Sequence, residues 1–67
     1  MSIKDKALRL VVRIRSVRKE AEDIAEELEA MMAYSTAYFF RGIAYRLEDV
    51  AQAIERHILK TRPQIGY

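Results

Sequence analysis

The sequence predicts an all-α protein, an antiparallel two-helix hairpin that pairs with a second copy into a four-helix bundle. Three observations predict it. Gly42, Pro63 and Gly66 are the only helix breakers in 67 residues, so nothing between Ile3 and Leu59 obliges the chain to leave a helix. Each half carries apolar residues in alternating steps of three and four, the heptad spacing of helices that pack on a neighbour. The two heptad frames disagree, so the chain has to turn between them.

Helix 1 is expected over about residues 3–33. Ser2 is its N-cap, with Asp5 three residues on, where a capping box prefers Glu or Gln. Its seam is Ile3, Ala7, Leu10, Ile14, Val17, Ala21, Ile24, Leu28 and Met31, with Ala7, Ile14, Ala21 and Leu28 at position a. Continued past Met31, that frame would put Ser35, Gly42 and Asp49 at a. The corner is therefore expected over about 33–36, in Ala33-Tyr34-Ser35-Thr36, with Ser35 or Thr36 capping the next helix.

Helix 2 is expected over about 36–61, with a seam of Ala37, Phe40, Ala44, Leu47, Ala51, Ile54 and Ile58. Pro63 ends its helical potential, and residues 62–67 form a short basic tail within the single domain spanning 1–67. Folded back on helix 1, this seam gives seven apolar layers: Met31 with Ala37, Leu28 with Phe40, Ile24 with Ala44, Ala21 with Leu47, Val17 with Ala51, Ile14 with Ile54, and Leu10 with Ile58. Several pair a small residue with a large one, which lets helices approach closely at native density. The architecture resembles that of the small plasmid-encoded RNA-binding hairpin dimers of the Rop type in length, topology and small-residue a layers. No motif or functional residue of that family maps onto this chain, so the likeness is one of architecture.

The second copy follows from size and stripe width. A chain near 60 residues buries only about 60% of its unfolded surface, and with no Cys and one His it has neither disulfide nor multi-His metal centre to staple it. Val11, Ala25 and Met32 at e widen the stripe of helix 1, and Ile43 and Val50 at g widen that of helix 2, so each helix needs a further neighbour. Charge order suggests how the copies meet. Residues 1–19 hold seven Lys or Arg against Asp5, whereas residues 20–29 hold six acids and no base. This order opposes the helix macrodipole, but it pairs Lys6 with Glu27 and Arg13 with Glu20 when helix 1 lies antiparallel on its symmetry mate. Lys6, Val11, Arg13, Glu20, Glu27, Ile43 and Val50 are the expected dimer-interface residues.

Two other features suggest partners. Tyr34, Tyr38, Phe39 and Tyr45, with Arg41 and Arg46, gather aromatic rings and cations near the corner, a composition enriched at protein interfaces. The basic half of helix 1 offers Arg9, Arg13, Arg15, Arg18 and Lys19 to nucleic-acid phosphates, with Arg9, Arg15 and Lys19 expected on the outer face beside Leu8 and Val12. His57 has nothing at metal-ligand spacing and is expected at the edge of the seam. Glu22, Glu26 and Glu29 are expected to face outward and lack the His of a di-metal bundle site. With no thiol nucleophile and no acid and base in a pocket, neither catalysis nor a cofactor or metal is expected. The expectation is a non-enzymatic regulatory or adaptor protein that associates with itself and with another protein. Nucleic-acid binding and a purely structural subunit are the alternatives. Without an apolar leader or spanning segment, a cytoplasmic location is expected.

Overall fold

The computed structural model describes residues 2–60. It is a helical hairpin, α1 (Ile3–Ala30) followed by α2 (Tyr34–Lys60). Pro63, residue 61 and the tail 62–67 lie outside the described residues. The Ser2 side chain accepts a hydrogen bond from the Asp5 backbone N–H at 3.1 Å, so α1 begins with the expected cap. Gly42 sits inside α2 without interrupting it.

The corner falls earlier than expected. The Ala33 N–H donates to the Leu28 carbonyl at 2.8 Å and the Met32 N–H to the Glu29 carbonyl at 2.9 Å, the paired bonds of a Schellman motif. Its left-handed residue is Met32, with φ of 63°. α2 then starts at once, since the Ala37 N–H donates to the Ala33 carbonyl. Ser35 and Thr36 lie inside the first turn of α2 rather than capping it. Helix termination by backbone hydrogen bonds, available to any sequence, decides this boundary ahead of the polar side chains.

The seam of α1 also differs from expectation. The buried residues are Val11, Ala21, Ala25, Ala37, Ala44 and Ala51. Three of them are the a-position alanines of α2, as expected, but α1 meets them with its a and e rows. The d row of α1, assigned by spacing to the layers between helices, lies outside. Relative to the expected seam, α1 is turned by roughly 50° about its own axis. Small residues explain the turn. Ala21 and Ala25 are buried together with the alanine seam of α2, small side chains that permit a close approach, and the b and e rows of α1 reach ionic partners on α2. Among the described residues no large side chain is fully buried, and the buried ones are alanines and one valine.

Candidate interaction surfaces

Turning α1 gives the hairpin two unlike faces, one ionic and one apolar. On the first, Arg15 makes two-pronged hydrogen bonds to Glu48, at 3.3 and 3.1 Å, and to Glu55, at 2.9 Å each. Arg18 donates to Glu48 at 2.8 Å, and Arg41 makes a two-pronged bond to Glu29 at 2.9 and 2.7 Å. Gln52 donates to Glu48 from within α2. The rail holds Glu48 below the usual carboxylate range, chiefly through the Arg15 hydrogen bonds and then that of Gln52. Arg41 does the same to Glu29. Fork-to-fork pairs fix geometry better than point-charge pairs, so these contacts lock helix register.

The sequence signal for this rail lies in two rows read in opposite directions. Read antiparallel, Arg15 and Glu29 at b of α1 complement Glu55 and Arg41 at e of α2, while at the level between them Glu22 and Glu48 are both acids and Arg18, at e of α1, supplies the cation. Arg15 and Arg18, expected to be free for phosphates, are instead committed to carboxylates. Leu8, expected outside, is half-buried. Glu29, expected to face outward, carries the pair with Arg41, and Glu22 lies 3.9 Å from Arg18 Nε.

The second face is apolar along its length. Ile3, Leu10, Val17, Ile24 and Met31, the complete d row of α1, are 43% to 79% exposed. Ile14 and Leu28 of α1 and Phe40, Ile43, Leu47 and Ile54 of α2 are half-buried, and Val50 is 48% exposed. The geometry of two antiparallel helices puts these rows together. On α1 the d row lies on the opposite side of the seam from b, and on α2 the d and g rows lie opposite e. Since b and e carry the ion pairs, d of α1 and d and g of α2 share the other face. At extents of 54 × 23 × 10 Å, the hairpin is one helix thick and has no second layer to cover it.

The expected interface residues divide between places. Val11 is 2% exposed and belongs to the hairpin's own core, so an intact hairpin cannot offer it to a second copy. Ile43 and Val50 lie on the apolar face. Lys6, Arg13, Glu20 and Glu27 are exposed, in the g row beside the d row, and none enters the ion pairs among the described residues.

The corner aromatics do not form one patch. Tyr38 and Tyr45 project from the b row, toward the ionic face, and Tyr45 borders a groove of about 270 Å³ with Arg18, Glu22, Arg41, Ala44 and Glu48. Phe39 packs edge-on against Phe40, ring centroids 5.5 Å apart, in the c row that also carries Arg46. Tyr34 opens α2 at the corner, exposed beside Met32. Arg9, Arg13 and Lys19 are exposed. His57 is exposed in the g row with Ile43 and Val50.

Among the described residues no cluster of His, Asp or Glu is arranged to hold a metal ion, and no helix is long and apolar enough to cross a membrane. No protein-family model matches the chain, and no curated protein or solved structure matches it.

Proposed function

We propose that this chain is a non-enzymatic regulatory or adaptor module that acts by helix-on-helix association. It works as a homodimer, apolar face inward, with the ionic face and the tyrosines of α2 left outside for a further protein. The observation that carries this reading is the d row of α1, five large apolar side chains at heptad intervals and all substantially exposed. A heptad row of this length is what coiled-coil packing requires, and the hairpin leaves it uncovered. Contiguous apolar surface rimmed by charge marks an association site.

The alternative, nucleic-acid binding, keeps Arg9, Arg13 and Lys19 as free cations once Arg15 and Arg18 are paired. Of the five candidate phosphate contacts three then remain, a weaker electrostatic footprint than the sequence suggests. Sedimentation equilibrium over a concentration series tests the reading. The wild-type chain is expected to dimerise at micromolar concentration and Leu10→Glu with Ile24→Glu to stay monomeric. A wild-type chain that remains a helical monomer at 100-fold higher concentration overturns the homodimer. A mobility shift with RNA or DNA that weakens steeply between two salt concentrations, without dimerisation, favours the alternative.

A further inference from the structure

Two thin hairpins stacked apolar face to apolar face can be related by a two-fold axis along the helices or across them. Along the helices, α1 lies over α2 of the partner. Across them, α1 lies antiparallel on α1 and α2 antiparallel on α2, with corners at opposite ends. We propose the second arrangement, with the axis passing beside Val17. This rests on the homodimer reading and adds its geometry.

The g row of α1 carries the argument. It reads Lys6, Arg13, Glu20, Glu27, two cations followed by two anions, alongside the exposed apolar row and outside the ion pairs formed among the described residues. Reversed upon itself, the row is self-complementary. Lys6 meets the partner's Glu27 and Arg13 meets the partner's Glu20, and two-fold symmetry makes each pair twice. Arg9 and Asp23, in the c row just behind, repeat the pattern. Laid over α2, the same charges would face a row of Thr36, Ile43, Val50 and His57, which offers no such complement.

The apolar rows share that centre. Val17 is the middle of the d row, with Leu10 opposite the partner's Ile24 and Ile3 opposite the partner's Met31, so the apolar row and the charged row reverse about points within one residue of each other. Arg15 bonds both Glu48 and Glu55 and Arg18 bonds Glu48, which sets the middle of α1 level with the stretch from Glu48 to Glu55. An axis at that height passes beside Val50 and places Ile43 opposite the partner's His57. The charge order of α1, unfavourable to its own macrodipole, thereby acquires a role in selecting partner and direction.

The test combines charge reversal with crosslinking in a chain that has no native cysteine. Arg13→Glu places Glu against the partner's Glu20 at two contacts and is expected to weaken the dimer at least about fivefold at low salt. Arg13→Glu with Glu20→Arg restores opposite charges and is expected to recover the wild-type constant to within about twofold. Val17→Cys is expected to crosslink to itself on oxidation, whereas Ile24→Cys crosslinks only when mixed with Leu10→Cys. A dimer in which the double reversal is as weak as the single one, or in which Ile24→Cys but not Val17→Cys links to itself, overturns the antiparallel arrangement while leaving the homodimer standing. A wild-type chain without any dimer overturns both.

Discussion

Met32 holds the corner in a backbone conformation that suits glycine. At φ of 63° its Cβ crowds the adjacent carbonyl, a cost of roughly 1 kcal/mol that glycine escapes. Because the Schellman bonds are made by the backbone, they survive the change. Met32→Gly is therefore expected to stabilise the fold by about 0.5–1 kcal/mol, read as a higher midpoint in guanidinium unfolding. Gly42 shows the converse. It lies inside α2, and a Cβ built there meets nothing within 4 Å, so Gly42→Ala is expected to add about 0.5–1 kcal/mol through helix propensity alone. Unfolding curves with an unchanged slope would show that both act on stability rather than on the extent of the fold.

Between the helices, the rail of arginine and glutamate sets register where an alanine seam, being smooth, specifies it poorly. Its carboxylates also make the hairpin sensitive to acid. Glu48 and Glu29 are held below their usual range when folded, so the folded state binds fewer protons than the unfolded chain. Their contribution is fully present above the ordinary glutamate value near 4.5 and is lost as pH falls through the lowered values. Thermal midpoints followed by circular dichroism are expected to drop from about pH 5 downward. Glu48→Gln is expected to start lower at neutral pH and to show a shallower drop. Equal acid limbs in the two proteins would remove the rail from the account of acid unfolding.

For the whole molecule, the decisive fact is where the large side chains are. The hairpin buries alanines and one valine, and alanine contributes little transfer free energy compared with the roughly 1.5–3 kcal/mol of a buried leucine, isoleucine or valine. Many of the larger apolar side chains lie on the second face instead, and the proposed dimer would couple folding to association. The midpoint of thermal unfolding is accordingly expected to rise with protein concentration, and to do so more steeply at low salt than at high salt if the g-row charges guide the pairing. A midpoint independent of concentration would mean that the alanine seam and ion pairs suffice alone.

By itself the sequence determined the helices, the turn between them, the Ser2 cap and the alanine seam of α2. These depend on neighbours along the chain: breaker positions, heptad spacing and the frame shift past Met31. Only the tertiary structure decided which side of α1 faces α2. Heptad spacing marks d and e as neighbours of a on opposite sides, and in α1 both offer apolar residues: Leu10, Val17 and Ile24 on one side, Val11 and Ala25, with Arg18 between them, on the other. The choice between them depends on pairs far apart in sequence, Arg15 with Glu48 and Glu55, and Arg41 with Glu29, together with the close approach that small residues allow. Those distant pairs turn α1 so that the larger side chains lie outward, and with that turn the apolar face comes into being.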